Sequence, residues 1–412
     1  MSNSVYMKGG IHLLTASTKA GKTICLGNEY RKETLISLRE KEEFICPICG
    51  EGVILKLGNQ RIFHFAHKRG GTCADFFDGE TENHLEGKLQ LYRWLIGQKI
   101  PAILEYYDRE IQQRPDIMFK YQGHKYALEY QCSRLPEQVF IKRTRTYLQN
   151  GYIPIWIIAS EQLHFKKDNI VSLANFHYLF LRSSEKGSLY IPAYCPEKRF
   201  FHFLDTIIPF SVKNAFAHHS VHRLDNTNLQ HLLAPARSFY KISFTKWEAE
   251  VNHFKLHWGL SSGARSNHFL YDLYNHNLNL FLLPCEIGLP VPHSLFFQTS
   301  PIVWQTYLYF DVLMGRNQGD LCTLGEIKYQ INRRIERKEL NVRQLPQLDS
   351  VPYMEAVMDY FFLLERLGVL TKISETTFQL KQKFVIPGSN REKEEMKELF
   401  HQKIKAFSRN NK

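Results

Sequence analysis

The stretch of residues 114–133 carries the side chains with the clearest chemical potential. Its pattern predicts two short strands joined by a turn at Gln122 and Gly123, with Asp116 on the first strand and Glu129 on the second. Carboxylates on neighbouring strands can hold Mg²⁺ or Mn²⁺ together with a main-chain carbonyl. Such an ion would bind a scissile phosphate and acidify the attacking water. A Pro-Asp on one strand and a Glu-x-Gln on the next therefore predict a metal-dependent nuclease site.

A predicted amphipathic helix over residues 78–95 precedes these strands. Its polar residues Glu80, His84 and Lys88 recur at every fourth position, so they lie along one face of the helix. Ion pairs at this spacing are routine on solvated helix faces, and the helix alone favours that interpretation. The acidic strands that follow favour a second one, in which Glu80 completes an acidic cluster and His84 and Lys88 lie beside it.

The elements around these residues are predicted in the order helix, three strands, helix and strand. Residues 101–107 form the first strand, residues 135–150 a basic helix, and residues 152–159 a buried strand that follows Gly151. The basic side chains near the acidic strands suit contacts with phosphate, and they equally suit a solubilising face. These side chains are Arg114, Lys142, Arg143 and Arg145.

A second group of potential metal ligands precedes the helix. Cys46 and Cys49 form a Cys-x-x-Cys turn, in which two thiolates can grip one tetrahedral ion. His64 and His67 follow on a predicted hairpin, and Cys73 could replace either histidine as the fourth ligand. The pattern predicts a structural Zn²⁺ site that holds together a segment too small to build its own core. The alternative is a reduced pair of thiols with surface histidines.

Residues 16–23, Ala-Ser-Thr-Lys-Ala-Gly-Lys-Thr, nearly match a phosphate-binding P-loop. A P-loop leads into a helix whose N-terminal amides face the phosphates. The residues that follow here, 24–27, are strand-like and end at a glycine. The segment is therefore predicted to be a hairpin turn.

Taken together, these pieces resemble the competence protein CoiA family, whose core is restriction-endonuclease-like, or PD-(D/E)xK. The resemblance is carried by the Cys-x-x-Cys and His-x-x-His motifs, residues 80–88, the Arg-Pro-Asp that ends at Asp116, the Glu-Tyr-Gln-Cys-Ser that begins at Glu129, and the apolar strand at 153–157. It is strong over residues 1–160 and diffuse beyond them. The family implies a role in natural genetic transformation, as a predicted nuclease acting on internalised single-stranded DNA or on the recombination that follows uptake.

The residue two positions after Glu129 departs from the general pattern of this fold. A Lys is usual there and offers positive charge to water or phosphate, whereas Gln131 can only orient and hydrogen-bond. Cleavage would then need the charge of Lys88 or another cation, and we expect a weakly active Mg²⁺-dependent deoxyribonuclease. The alternative is a non-catalytic DNA-binding or recombinase-loading factor that keeps the fold. A defence or repair nuclease is a third hypothesis.

The composition favours a polyanionic partner. The 412 residues carry a formal net charge of +12, and 13% of them are aromatic. Residues 1–10 are too polar for a secretory signal, and the longest apolar run, 153–159, is too short to span a membrane. The eight cysteines lack the spacing of a secreted disulfide framework. We therefore expect a cytoplasmic protein whose partners are single-stranded DNA and recombination or DNA-uptake proteins.

The predicted fold class is α/β (α+β), with a restriction-endonuclease-like core, a small zinc-binding module before it and a mainly helical domain after it. The predicted boundaries are a strand-rich segment at 1–43, a zinc-finger-like module at 44–77, a nuclease-like domain at 78–165 or to 210, and a C-terminal domain at 211–412. Short strands are expected near 178–181, 188–191 and 200–203. Helices at 302–316, 323–338 and 352–367, followed by a hairpin at 369–380, resemble a winged-helix module at 302–385.

Overall fold

The computed structural model describes residues 12–59, 61–68, 81–167, 169–236, 241–261, 263, 267–348 and 352–409. Three sheets, of six, ten and three strands, organise these residues. Helices pack on both faces of the largest sheet and make up most of the chain after it.

The first sheet is antiparallel throughout. Its elements are β1 His12–Leu13, β2 Thr15–Thr18, β3 Thr23–Cys25, α1 Lys32–Lys41, β4 Phe44–Ile45, β5 Gly52–Lys56 and β6 His64–His67. The strand order is β1-β6-β5-β4-β2-β3, so strands from both sides of residue 43 share one sheet. Strands β2 and β3 pair Ala16 with Ile24, and the segment that resembles a P-loop is a hairpin turn, as predicted.

The second sheet contains the acidic strands. Its elements, with the helices between them, are α2 Glu82–Gly97, β7 Ala102–Leu104, β8 Ile117–Tyr121, β9 His124–Gln131, α3 Glu137–Gln149, β10 Tyr152–Ala159, β11 His164–Phe165, β12 Ile170–Ser172, α4 Asn175–Tyr178, β13 Arg182–Ser183, β14 Leu189–Cys195, β15 Phe200–Pro209, β16 Asn214–Arg223 and α5 Leu229–Leu233. The sheet order is β11-β12-β16-β15-β14-β10-β9-β8-β7, with β13 paired to β14. Strands β7, β8 and β9 are antiparallel neighbours, and α3 connects β9 to the parallel strand β10. The predicted order of helix, three strands, helix and strand is confirmed.

Helices α2 and α3 cover opposite faces of this sheet. Apolar side chains of α2 pack with Ile117 on β8 and Tyr130 on β9. Helix α3 packs through Phe140 against Trp156 and Ile158 on β10. Successive residues of a strand point to opposite faces. Side chains on β8 and β9 therefore reach both helical layers.

Two of the three short strands expected after residue 170 are observed. The runs at 188–191 and 200–203 fall in β14 and β15. The run at 178–181 instead begins at the last residue of the short helix α4 and is fully buried. A short apolar run predicts burial but does not distinguish a strand from a buried helical turn.

The chain beyond residue 240 is mainly helical. Its elements are α6 Phe244–Gly259, α7 His268–Asn275, α8 Pro301–Leu308, a π-helical turn at Tyr309–Leu313, β17 Leu321–Thr323, α9 Leu324–Glu336, α10 Tyr353–Arg366, β18 Leu370–Ser374, β19 Thr377–Leu380 and α11 Asn390–Arg409. The third sheet has the order β17-β19-β18. Helix α10 ends before Gly368, whose φ of +76° suits a residue without a Cβ. Among the described helices, none has the length and apolar character needed to cross a membrane.

Helix α2 lies very close to the sheet at Gly87. A Cβ atom on this residue would lie 2.1 Å from the ring of Tyr130, which is buried. We expect Gly87→Ala to lower the free energy of unfolding by about 1–3 kcal/mol, because the ring or the helix must move. Gly97→Ala, at the open end of the same helix, is the matched control and should be neutral or slightly stabilising. Chemical denaturation measures both, and equal stability of the two variants would contradict this contact.

Candidate active site and metal centre

The two predicted carboxylates lie at one end of neighbouring strands. Ile117 at the start of β8 is opposite Leu128 on β9, and this register places Asp116 beside Glu129. Both carboxylates are withdrawn from solvent, since the side chain of Asp116 is 12% exposed and that of Glu129 is 5% exposed. The structure therefore brings Asp116 and Glu129 together between the two helical layers.

Three groups hold the carboxylate of Asp116. Its Oδ2 accepts a hydrogen bond of 2.8 Å from the backbone amide of Tyr130. The same oxygen lies 3.3 Å from Nε2 of His84, and Oδ1 lies 3.7 Å from Nζ of Lys88. Burial opposes the charged form of Asp116, but His84 and Lys88 outweigh it, so its pKa is well below the ordinary value. Asp116 is therefore ionised at neutral pH, and the predicted helix residues His84 and Lys88 do reach it.

Glu129 is held from the opposite layer, by helix α3. Its Oε1 accepts a hydrogen bond of 2.6 Å from the hydroxyl of Tyr147 and is paired with the guanidinium of Arg143. Burial raises the pKa of Glu129 to about 7, Arg143 opposes this rise, and Asp116 adds to it. Glu129 thus has a fixed position, and its protonation depends first on burial and then on its charged neighbours Arg143 and Asp116.

The predicted phosphate contacts divide into two groups. Lys142 and Arg145 are exposed on α3, where they can meet a ligand. Arg143 points instead toward the sheet and Glu129, because the helical period turns it away from Lys142 and Arg145. Arg114 is also turned inward, with Nη1 3.9 Å from Oε2 of Glu105. Arg143 therefore faces Glu129 in the site, apart from the exposed face that Lys142 and Arg145 share.

The main residue that sequence reasoning missed is Glu105, which follows β7. Its Oε1 lies 2.7 Å from Nζ of Lys88, and both side chains are buried. Its Oε2 accepts hydrogen bonds from the amides of Leu14 (2.8 Å) and Thr15 (3.0 Å) in the first sheet. Burial would raise the pKa of Glu105, but Lys88 and then Arg114 bring it below the ordinary value. The sequence did contain a signal for Glu105, since it is a carboxylate within the otherwise apolar predicted strand at 101–107. A buried carboxylate needs a buried partner.

Gln131 stands two residues after Glu129, where a lysine is usual in this fold. Its side-chain amide nitrogen donates to the carbonyl of Ser133 at 3.1 Å, and its main-chain carbonyl accepts from the side-chain amide of Gln162 at 3.3 Å. It is 6% exposed. Cys132 packs with the core on the α2 side, so the prediction that it faces away from Gln131 agrees with the alternation of the strand. Glu80, the third predicted acid, lies outside the described residues.

The donor set at Asp116 and Glu129 suits Mg²⁺ or Mn²⁺. Both ions prefer oxygen ligands, and two adjacent carboxylates repel each other until a cation separates their charges. In the described part of the chain, Asp116 and Glu129 do not form a group with a third His, Cys, Asp or Glu in which all ligand atoms lie within 4.8 Å of one another. Further ligands would be main-chain carbonyls, waters or phosphate oxygens, which Mg²⁺ commonly takes.

A separate cluster of potential metal ligands lies in the region of the first sheet. Cys46, Cys49 and His67 place their ligand atoms within 4.8 Å of one another, and Cys49 Sγ lies 3.4 Å from Nε2 of His67. Three such ligands in this arrangement could hold Zn²⁺. Gly50, with a φ of +74°, allows the turn that brings the two thiols together.

The structure does not bring His64 to this cluster. Its Nδ1 lies 2.8 Å from the carbonyl of Ile62, and its ring packs against His12 at 4.3 Å. His64 and His67 are three residues apart on strand β6, and side chains at that spacing point to opposite faces. Cys73, the predicted alternative fourth ligand, lies outside the described residues.

The fold and these sites together define a class of protein. It is a mixed α/β chain with a nuclease-like sheet, a Cys/His cluster before that sheet and a helical region after it. Three family models match successive parts of the chain: Competence protein CoiA, N-terminal domain, over residues 27–76, its nuclease-like domain over 80–237, and its C-terminal domain over 240–393.

A curated relative supports the same grouping. Competence protein CoiA of Bacillus subtilis (strain 168) is 32% identical over 348 residues, which cover 83% of this chain and 91% of the relative. The chain belongs to the CoiA competence protein family, and the resemblance noted in the sequence is confirmed. No solved structure gives a significant match.

Zinc analysis of purified variants tests the metal centre. We expect about one zinc per chain in the unaltered protein and most of it lost in Cys46→Ser and His67→Ala, because each removes a ligand. His64→Ala is the matched control and should keep its zinc, since His64 is bound elsewhere. Zinc lost equally from the two histidine variants, or absent from the unaltered protein, would contradict this assignment.

A double-mutant cycle tests the Lys88–Glu105 pair. Glu105→Gln should lower the free energy of unfolding by about 3 kcal/mol, because it leaves the Lys88 ammonium buried without its carboxylate. Adding Lys88→Met should cost less than the sum of the two single changes. Glu110→Gln, at an exposed acid nearby, should be silent within about 0.5 kcal/mol. Additive effects of the two single changes would show that the pair is not coupled.

Proposed function

We propose that this protein is a metal-dependent DNA nuclease that acts in natural competence, processing incoming DNA or promoting its recombination after uptake. The observation that supports cleavage best is the position of Lys88, whose ammonium lies 3.7 Å from Oδ1 of Asp116. It supplies from helix α2 the positive charge that Gln131 cannot supply from strand β9. The family supports the role in competence.

Each residue of the proposed site has a separate task. Asp116 and Glu129 would hold Mg²⁺ or Mn²⁺, and the ion would supply charge for the scissile phosphate and an acidified water. Lys88 provides a fixed cation beside Asp116, and Glu105 holds its ammonium in place. His84 is hydrogen-bonded to Asp116 and can hold or release a proton at Nε2.

The proposed substrate is single-stranded DNA. A formal net charge of +12 favours a polyanion, and the exposed Lys142 and Arg145 are the basic residues of α3 that can contact phosphates. A cytoplasmic location and recombination or DNA-uptake partners complete this proposal. We also propose that the helices and hairpin at 302–385 form a winged-helix unit, with β17-β19-β18 as its small sheet.

A second candidate function is a non-catalytic DNA-handling or recombinase-loading factor. The pairing of Glu129 with Arg143 favours it, because a metal ion must share that carboxylate with a partly buried guanidinium. Gln131, bonded to Ser133, adds no charge to the site. The two candidates differ in one measurable property, which is metal-dependent cleavage of DNA.

Cleavage and binding assays with matched lysine variants separate these candidates. The unaltered protein should cut single-stranded DNA with Mg²⁺ or Mn²⁺, and Asp116→Asn should stop cutting while DNA binding stays within about twofold. Lys88→Met should reduce the cleavage rate at least about a hundredfold, an effect typical of losing a positioned charge. Lys142→Met, which removes an exposed charge, should weaken binding modestly and leave the cleavage of bound DNA unchanged.

The outcomes of these assays decide between the proposals. Failure of the unaltered protein to cut DNA with either ion, combined with retained DNA binding, would favour the non-catalytic factor. Full activity in Lys88→Met would disprove the role given to Lys88 while leaving nuclease activity in place. Circular dichroism of Lys88→Met is needed alongside, because the lysine is buried and its loss also affects stability.

A further inference from the structure

A cavity in the C-terminal part of the chain is unrelated to the acidic site. It has a volume of about 320 Å³ and lies between helices α6 and α11 and the chain near Phe281 and Cys285. This volume falls in the range of about 300–1,000 Å³ that is typical of small-molecule sites. Three lysines line it: Lys255 on α6, and Lys393 and Lys397 on α11.

Lys255 is the unusual member of this set. The residue is only 5% exposed, and its ammonium, which lines the cavity, makes no hydrogen bond or ion pair with the residues that the structure describes. Burial, together with the nearby Lys393, lowers the pKa of Lys255 to about 7, although Cys285 and Glu248 oppose the shift. A buried, unpaired ammonium is strongly unfavourable. Loss of the proton relieves part of this cost, and an anion bound in the cavity would relieve it while the charge is kept.

The two acids that line the cavity, Glu248 and Glu394, form ion pairs with residues other than Lys255. Glu248 lies 3.4 Å from Nζ of Lys397 and 3.0 Å from Nε2 of His401. Glu394 lies 3.6 Å from Lys397, on the same helix. Lys393 donates to the carbonyl of Leu283, which carries no formal charge. Lys255 is consequently left without a counter-charge in direct contact, and an anionic ligand would supply one.

The rest of the lining indicates which anion fits. Lysine ammoniums are point charges that suit phosphate. The long helix α11 begins at Asn390 in the cavity lining, so the positive end of its dipole also favours an anion. Phe244 and Phe281 provide aromatic walls beside the lysines. The volume exceeds what a phosphate alone needs and leaves room for an attached sugar and base.

We propose that this cavity binds the terminal phosphate of a nucleotide, either a free deoxynucleoside monophosphate or the phosphorylated end of a DNA strand. Lys255 and Lys393 would contact the phosphate, and the aromatic walls would contact the nucleoside. This proposal is independent of the cleavage proposed for Asp116 and Glu129, because a non-catalytic factor could use the same cavity.

Binding measurements without added Mg²⁺ or Mn²⁺ test the cavity without interference from cleavage. The probes are deoxyadenosine monophosphate, inorganic phosphate, and one fluorescent oligonucleotide with a 5′-phosphate, a 3′-phosphate or no terminal phosphate. We expect the mononucleotide or one phosphorylated strand to bind at least tenfold more tightly than the matching unphosphorylated ligand. Lys255→Met should abolish that difference, whereas Lys246→Met, at an exposed position of the same helix, should keep it.

Each result has a defined meaning. A preference only for the mononucleotide identifies a free nucleotide as the ligand, and a preference only for one strand identifies a DNA end. The proposal is overturned if terminal phosphates change no affinity, or if inorganic phosphate binds as tightly as the nucleotides. Lys255→Met should melt at the same or a higher temperature, because it removes a buried charge. If it does not fold, Lys393→Met replaces it, with the same expected loss of phosphate preference.

Discussion

The buried ion pair between Lys88 and Glu105 is the interaction on which the acidic site depends. It joins helix α2 to the end of strand β7, and the other oxygen of Glu105 binds the amides of Leu14 and Thr15 in the first sheet. Removing either charge would leave its partner buried without its nearest counter-charge. Helix, strand and first sheet are therefore held in one arrangement, with the ammonium directed at Asp116.

The negative charges of Asp116 and Glu129 are stabilised by side chains from opposite helical layers of the fold. Asp116 is stabilised from the α2 side by His84 and Lys88, whereas Glu129 is held from the α3 side by Arg143 and Tyr147. A cation entering between them separates two charges that repel, but it also competes with Arg143 for Glu129. Repulsion between the carboxylates would favour metal binding, and the pairing of Arg143 with Glu129 would oppose it. This balance agrees with the weak activity that we expect because Gln131 replaces a lysine.

The parts of this arrangement that follow short-range patterns were predictable. The order of helices and strands, the pairing of the acidic strands and the Cys-x-x-Cys turn each follow from spacing within a few residues. Glu105 was missed because its partners, Leu14 and Thr15, come from a different sheet far away in the sequence. The inward turn of Arg143 also escaped prediction, since an arginine next to exposed basic residues on a helix resembles them in sequence.

In the proposed site the positive charge comes from Lys88 on helix α2 instead of a lysine on strand β9, and a different contact fixes its position. A lysine on β9 would be placed by the register of the sheet, which pairing makes rigid. Lys88 is instead placed by the packing of α2, and the residue before it is Gly87, whose close approach to Tyr130 sets the distance between helix and sheet. The backbone amide of Tyr130 also donates a hydrogen bond to Asp116. The contact between Gly87 and Tyr130 therefore affects the positions of both Asp116 and Lys88. The missing Cβ of Gly87 therefore lets helix α2 approach the sheet closely enough for Lys88 to lie beside Asp116.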